Sequence, residues 1–189
     1  MQLIVGLGNP GEKYRQTRHN LGFLALDNLS LSFRFEKKFN AEIAKFSSGT
    51  FSVPCLKPQT YMNISGDSVA SYINFYQLDP SKCLIIHDEL DLPFGEVRLK
   101  FGGGEGGHNG LKSISESLGT KDYARLRMGI GKPEPGNLIA IEDWVLSRFR
   151  EDEQQILKDV LARGQEAIKA VFEFGFAKAQ TIINGKVVN

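Results

Sequence analysis

The sequence predicts an α/β fold: a single domain with a twisted, mixed β-sheet flanked by helices on both faces, in three layers α/β/α. The first observation is that short apolar runs typical of strands alternate along the chain with segments of helical periodicity. The second is the length of 189 residues, which predicts a single domain over residues 1–189. The third is a composition of 41% hydrophobic and 24% charged residues, which excludes a disordered, collagen-like or coiled-coil chain.

The first half of the chain predicts two strands and two helices in alternation. Residues 2–7 are an apolar run that ends at glycine and proline, which indicates a buried strand. Apolar residues recur at helical spacing from 21 to 29, and Thr17 is a candidate N-cap for that helix. Residues 51–55 alternate as a strand does, and residues 69–76 show helical spacing again.

The second half predicts three strands and two helices. Residues 83–86 are a fully apolar strand. Residues 97–101 and 125–130 alternate apolar with basic side chains, which predicts two strands that each have one apolar and one basic face. Residues 111–118 form a short helix between these strands, so their relative direction stays open and an antiparallel pair is one option. Residues 156–172 have the spacing of a long amphipathic helix.

Positive charge is concentrated in one part of a nearly neutral chain. The net charge is +1, yet residues 98–132 contain seven Lys and Arg against three Asp and Glu. Such a basic surface indicates a polyanionic substrate such as a nucleic acid, and the alternative is an ordinary solvated face.

Cysteine usage and hydropathy predict the compartment. Cys55 and Cys83 lie in apolar runs and outside any Cys-x-x-Cys pair, so we expect buried free thiols in a reducing cytosol. The first residues are typical of a strand rather than a signal peptide, and no apolar run approaches the length of a membrane span. We therefore expect a cytoplasmic protein without a membrane partner.

Three polar clusters follow predicted strands and contain all three histidines of the chain, His19, His87 and His108. Ligand sites in open α/β sheets lie at the carboxyl ends of strands, so this clustering predicts a site. His19 is placed near a helix N-terminus, which favours neutral imidazole and hence a general base. The alternative is a surface histidine that caps the helix. Asp88 or Glu89, or else Asp91, is the candidate carboxylate partner, and spacing alone does not choose among them.

Two glycine patterns suggest nucleotides but lack the required context. Gly6-x-Gly8-x-x-Gly11 matches a dinucleotide fingerprint, yet no helix opens at its glycines. Residues 102–107 contain five glycines without the Gly-Lys-Ser/Thr of a P-loop. His108 and Asn109 follow this run, open a helix and are candidates for substrate binding, because free N–H groups there can meet an anion or an amide carbonyl.

The remaining catalytic classes have little support. The chain has no Gly-x-Ser-x-Gly elbow, so a covalent serine mechanism is disfavoured and a histidine-activated water is the simplest nucleophile. The histidines do not have the spacing of metal ligands, and we expect neither a metal nor a cofactor.

Several motifs, taken together, resemble the bacterial peptidyl-tRNA hydrolase family. They run in order from residue 2 to about residue 150, and the likeness continues loosely to the end. The motifs are LIVGLGNPG (3–11), TRHNLG (17–22), KPQTYMNISG (57–66), HDELDLP (87–93), GGGEGGHNGLK (102–112) and RLRMGIG (125–131).

The resemblance implies hydrolysis of the ester that joins a peptide to the terminal ribose of tRNA. It assigns His19 as the base that activates water and Asp88 as the carboxylate that orients it. It places Asn9 near the histidine, where it helps to select blocked over free aminoacyl ends. The further residues that it implies contact the substrate are Tyr14, Tyr61, Asn63 and Asn109, with Lys100 and Arg127 at the tRNA 5′ phosphate.

Two other classes of function stay open at this stage. A non-catalytic RNA-binding module would explain the basic surface, and a nucleotide-dependent oxidoreductase would use the first glycine motif. For the hydrolase we expect a monomer that binds peptidyl-tRNA and needs no obligate protein partner.

Overall fold

A seven-stranded mixed sheet forms the centre of the computed structural model, which describes residues 1–134, 136 and 138–185. The strands are β1 (Leu3–Gly6), β2 (Arg34–Glu36), β3 (Ala41–Ser48), β4 (Phe51–Pro58), β5 (Cys83–Glu89), β6 (Val97–Phe101) and β7 (Ala124–Gly129). They lie in the order β2-β3-β4-β1-β5-β7-β6. The four central strands β4, β1, β5 and β7 are parallel, whereas β2, β3 and β6 run antiparallel to their neighbours. This confirms the predicted mixed sheet and settles the direction of the two basic strands.

Helices cover both faces, so the three-layer prediction is confirmed. The helices are α1 (Leu21–Asp27), α2 (Ser65–Tyr76), α3 (Asn109–Leu118), α4 (Ile141–Leu146), α5 (Gln154–Phe174) and α6 (Phe176–Gly185). One buried cluster joins α2 and α3 to one face of the sheet, and a second joins α1, α5 and α6 to the other. Within the described residues, no helix has both the length and the apolarity needed to cross a membrane.

The central strands are apolar at nearly every position because each of their faces packs against helices. On β1, Leu3 and Val5 belong to one buried cluster and Ile4 to the other. Leu84 and Ile85 divide in the same way on β5. Such double burial explains why these runs do not alternate apolar with polar side chains.

Glycines bring α1 into direct contact with the sheet. A Cβ on Gly22 would overlap the backbone of Leu7 and the carbonyl oxygen of Ile86. A Cβ on Gly8 would lie 2.6 Å from the ring of Phe23. Gly6 and Gly8 of the first glycine motif therefore serve the packing of α1 against β1, whereas Gly11 has open space around it and a positive φ of +102°.

The sequence prediction missed β2, β3, α4 and α6. Charged side chains interrupt the alternation of β3, which is only partly buried. All six residues of α4 are described and none of them is fully buried, and a helix this short does not show a recognisable apolar period in the sequence. The predicted capping role of Thr17 is wrong: its hydroxyl donates to the carbonyl of Tyr14 instead.

Each edge of the sheet is blocked. At the β6 edge, the amide N–H and the carbonyl of Leu99 bind the side-chain amide of Asn184, and Gln180 also donates to that carbonyl. At the other edge, β2 is only three residues long, and its first and last residues are charged. Short, charged or covered edges are the usual protection against pairing with another chain.

Cys55 and Cys83 are buried free thiols, as predicted. Burial raises the pKa of each to about 12, so neither is a nucleophile near neutral pH.

Candidate active site

A histidine–aspartate pair lies where β5 ends. His19 belongs to a 3-10 turn, Arg18–Asn20, directly before α1. Its Nδ1 lies 3.0 and 3.1 Å from the two carboxylate oxygens of Asp88. The two side chains are 9% and 2% exposed. Spacing left Asp88, Glu89 and Asp91 open as partners, and the structure brings Asp88 into contact with the imidazole.

His108 reaches the same carboxylate. Its Nε2 lies 3.0 Å from Oδ1 of Asp88, and its Nδ1 accepts the backbone N–H groups of Gly110 and Leu111 at the start of α3. Since Nδ1 is an acceptor, the ring proton is on Nε2 and is donated to Asp88. The expectation that free N–H groups await a ligand here is therefore wrong for these two groups, because the imidazole already satisfies them.

The pKa values of Asp88 and His19 are shifted by their surroundings in the site. Burial alone would raise the pKa of Asp88, but the neighbouring rings of His19 and His108 hold it well below its usual range. Burial lowers the pKa of His19, yet the charge of Asp88 and the hydrogen bond to it outweigh that effect, so the pKa is raised overall. Asp88 is thus a permanent anion that favours a proton on His19.

His87 supports the site from behind. It is 1% exposed, its Nδ1 donates to the Asp88 carbonyl over 2.7 Å, and its ring lies edge-on to that of His108. Burial, assisted by the neighbouring His108, lowers the pKa of His87 to about 3. It therefore stays neutral and does not compete with His19 for a proton.

The side chain of Asn9 is held in one orientation. Its Oδ1 accepts the backbone N–H of Met62 over 2.8 Å. Asn20 ties the backbone of Asn9 on both sides, since its Oδ1 accepts from the Asn9 N–H and its Nδ2 donates to the Asn9 carbonyl. The group left to meet a ligand is therefore the Asn9 Nδ2, a donor.

Two cavities meet at His19. The first is lined by Asp88, Glu89, His108 and the glycine-rich run of residues 102–107, called the glycine loop below. The second is lined by Asn9, Tyr61, Met62 and Asn63. Asn109 and, from α4, Glu142 and Val145 border both. A substrate with two unlike ends can therefore place them on opposite sides of His19.

Most predicted site residues come together here, although they are far apart in the chain. Tyr14 is not among the residues that line these cavities, but its ring lies edge-on to that of Tyr61, with 6.5 Å between the ring centres. Lys100 and Arg127 lie on β6 and β7, outside the residues that line these two cavities.

The basic face of β6 and β7 differs from its prediction. Lys100 is exposed, and no acidic side chain among the described residues pairs with it. Arg127 is ion-paired with Glu89 over 2.8 Å. Arg125 is 2% exposed, so the prediction that it adds to the basic surface is wrong.

Arg125 instead holds the glycine loop. Its two terminal nitrogens donate to the carbonyls of Gly103 and Gly104, each over 2.6 Å. Gly103 has φ +97°, a conformation that side chains resist, and a Cβ there would lie 2.9 Å from Nζ of Lys100. Glycines let the loop lie against these two cations.

The side chains of His19, Asp88 and His108 are also grouped closely enough to bind a metal ion. One ligand atom each from His19, Asp88 and His108 lies within 4.8 Å of the others. Chain spacing gives no sign of this group, since its members come from three separate elements. The hydrogen bonds from both imidazoles already use Asp88 Oδ1 as an acceptor, and the expectation of a metal-free site stays a prediction.

Sequence reasoning missed the residues of α4 and the buried Arg18. Glu142 and Val145 lie in a helix that the apolar pattern did not reveal. Asn20 is part of the motif TRHNLG (17–22), but its two bonds to the Asn9 backbone depend on a chain reversal that spacing does not show.

Comparison with known proteins gives consistent matches along the chain. A family model described as peptidyl-tRNA hydrolase matches residues 3–189. The chain is 45% identical over 188 residues to a peptidyl-tRNA hydrolase from Citrifermentans bemidjiense, with 98% of each chain covered. It is 43% identical to one from Neisseria meningitidis, again with 98% of each covered. A crystal structure of peptidyl-tRNA hydrolase from Acinetobacter baumannii matches with a TM-score of 0.90 and 38% identity, over 97% of this chain and 94% of that one.

Proposed function

This chain belongs to the peptidyl-tRNA hydrolase family and has that family's activity, and we propose that His19 is the general base of its reaction. The observation that carries the proposal is the buried contact between His19 Nδ1 and the Asp88 carboxylate. Because the permanently charged Asp88 carboxylate lies beside Nδ1 of His19, the ring proton stays on Nδ1 and Nε2 is left as the proton acceptor.

The proposed reaction needs only water and this pair. Water attacks the ester carbonyl carbon while Nε2 of His19 takes one of its protons. Asp88 stabilises the imidazolium that forms, as the acid of a hydrolytic triad does. When the tetrahedral intermediate collapses, the bond from the carbonyl carbon to the ribose oxygen breaks and His19 returns the proton to that oxygen. The products are free tRNA and a peptide acid.

We propose that Asn9 selects blocked amines through its fixed amide. Its free Nδ2 donates a hydrogen bond, and a peptide carbonyl accepts one. A free α-ammonium is itself only a donor, so it meets Asn9 with two like groups and gains nothing. A substrate that leaves the Asn9 amide donor without an acceptor binds less favourably, and such a loss discriminates strongly between blocked and free amines.

The other predicted contacts fit a substrate that extends from His19 in two directions. Asn109 borders both cavities, so we propose that it binds near the reacting carbonyl. Asn63 and Tyr61 then bind one end of the substrate, with Tyr14 supporting the Tyr61 ring. His108 acts through Asp88, which its Nε2 contacts.

We propose that Lys100 and Arg127 hold the 5′ phosphate of the tRNA. Lys100 is exposed and without an acidic partner among the described residues. Arg127 must exchange Glu89 for the phosphate, and a phosphate offers a comparable bidentate acceptor. Contacts of this kind position the tRNA without reading its sequence.

We further propose that the enzyme is a monomer in the cytoplasm. The residues that form both cavities come from one chain, so no second copy is needed to complete the site. Peptidyl-tRNA is a product of translation, which places the substrate in the cytoplasm.

The test compares wild type with His19→Ala on N-acetylaminoacyl-tRNA and on free aminoacyl-tRNA. Wild type should release the acyl group from the acetylated substrate alone. His19→Ala should bind tRNA with similar affinity and lose turnover by at least about a thousandfold. Near wild-type turnover of a folded His19→Ala would refute the base. Equal cleavage of both substrates by wild type would refute the selection of blocked amines.

A further inference from the structure

Arg18, the residue before His19, is a buried charge with a specific set of partners. It is 1% exposed. Its Nη2 pairs with Glu153 over 2.7 Å, and its Nε donates to the hydroxyl of Ser147 over 3.2 Å. The Arg18 backbone N–H also donates to the carbonyl of Ser147. Burying a guanidinium is costly without such partners, so these contacts are a built arrangement.

The guanidinium also stacks on aromatic rings. Its carbon lies 3.9 Å from the centre of the Trp144 ring and 4.8 Å from that of Phe149. Trp144 is in α4, and its Nε1 donates to the carbonyl of Gly131. Cation–π contacts of a desolvated Arg are among the stronger ones in proteins.

The contact with Arg18 is one of the few contacts that hold α4 in place. None of its six residues is fully buried, and only Trp144 and Val145, both partly buried, pack against the core. Trp144, the only tryptophan of the chain, is half-buried against Arg18. Glu142 and Val145 of the same helix line both cavities beside His19.

We propose that Arg18 is a positioning residue for the reaction, which fixes α4 as the wall of both cavities relative to the adjacent His19. The inference rests on the proposed function, since it assigns α4 to the binding of a substrate that reacts at His19. Only arginine makes all of these contacts at once, because its planar group stacks on Trp144 while its edge bonds to Glu153 and Ser147.

The proposal predicts an effect on substrate binding rather than on proton transfer. α4 contributes side chains that line the cavities, whereas the contact between His19 and Asp88 does not involve α4 and persists when α4 moves. A small displacement of a binding wall costs on the order of tenfold to a hundredfold in kcat/KM. We expect this loss in KM, with kcat within about twofold and an unchanged pH profile.

The experiment uses Arg18→Lys, with Arg150→Lys as the matched control. Arg150 belongs to the same stretch of chain and pairs with Asp152 and, over 3.8 Å, with Glu153. Its side chain is 60% exposed, however, and a lysine can keep such surface ion pairs. Both variants are assayed for kcat and KM on N-acetylaminoacyl-tRNA, for pH profile and for acrylamide quenching of tryptophan fluorescence. The fluorescence comes from Trp144 alone, so it reports on α4 directly.

In Arg18→Lys, acrylamide should quench the Trp144 fluorescence more strongly than in wild type, and KM should rise about tenfold or more. In Arg150→Lys, both the quenching and KM should match wild type. Unchanged quenching and KM with only a lower melting temperature would show a purely structural Arg18 and overturn the proposal. A fall in kcat with a shifted pH profile would overturn it too, because Arg18 would then act on His19.

Trp144→Phe keeps the test decisive if Arg18→Lys does not fold. It removes the bond to Gly131 and part of the stacking surface, and it should raise KM in the same way. If both fold, the double variant should be no worse than the poorer single one, because both changes break one contact. Wild-type KM in a folded Trp144→Phe would refute the role of α4.

His19→Ala, measured in parallel, tests the general base separately. An active His19→Ala would refute the proposed function. An inactive His19→Ala, together with wild-type KM and quenching in Arg18→Lys, would refute only this inference.

Discussion

Asp88→Asn is the substitution that most sharply tests how the site works. The change keeps the size of the side chain and removes its charge. The carboxylate accepts from His19 Nδ1 and from His108 Nε2, each at 3.0 Å and out of contact with solvent. An asparagine amide has one acceptor oxygen and a donor nitrogen, so it can serve one imidazole well and opposes the proton of the other.

The expected loss follows from the burial of the pair. Removing one partner from a buried charged pair costs about 3–5 kcal/mol. In the transition state His19 carries a full positive charge, so the cost falls mainly there. Since about 1.4 kcal/mol corresponds to tenfold in rate, kcat should fall roughly a hundredfold to ten-thousandfold. The same exchange in a hydrolytic triad loses about ten-thousandfold.

The assay is the pH dependence of kcat/KM on N-acetylaminoacyl-tRNA. A general base works only when unprotonated, so activity falls as the pH drops through the pKa of His19. Asp88 raises that pKa above its ordinary value of about 6.5. Without the charge, burial is left to lower it, so the acidic limb of the Asp88→Asn profile should move to lower pH.

Asp91→Asn is the matched control, because Asp91 is three residues away but 55% exposed and paired with Lys132. It should change kcat/KM by less than about twofold. The reasoning is refuted if Asp88→Asn loses less than about tenfold, if its acidic limb stays in place, or if Asp91→Asn is equally damaging.

Three further predictions concern the framework, the tRNA contact and the cluster of possible metal ligands. Gly22→Ala should lower the free energy of unfolding in urea by about 3 kcal/mol or more, since the new Cβ overlaps the backbone of Leu7, just after β1, and of Ile86 in β5. Gly104→Ala, with open space around it, should stay within about 1 kcal/mol, and equal values would contradict the packing argument. Lys100→Ala should raise KM severalfold and reduce the slope of log(kcat/KM) against log salt by about 1, and a fall in kcat alone would count against the phosphate contact. Activity should be unchanged after dialysis against EDTA, and a loss restored by a divalent metal would make the cluster a metal site.

The sequence predicted the architecture because the central strands must be apolar on both faces. Residues 83–86 could be recognised as a buried strand from their composition alone. The same reasoning could not find α4, because six residues are too few to show a helical period. Its placement depends on the packing of Trp144 against Arg18 and against the core. Nor could the same reasoning find β3, where half-burial mixes apolar with charged side chains.

For the site, residue types could be predicted better than contacts. His19 and the candidate carboxylates were evident from their positions after strands, but only the fold brings Asp88 to the imidazole. The burial of Arg125 was misjudged because alternation shows on which face a side chain lies and not what covers that face. Here a glycine loop covers it, and the guanidinium binds that loop.

The blocked edges of the sheet have a consequence for an enzyme with this product. Each turnover sets free an extended, unfolded peptide within reach of the sheet. An unpaired strand edge would capture such a peptide by main-chain hydrogen bonds, whatever its sequence. The side chains that bind Leu99 at one edge and the short charged strand at the other deny it that pairing. We therefore expect the released peptide to leave without adding a strand to either edge of the sheet.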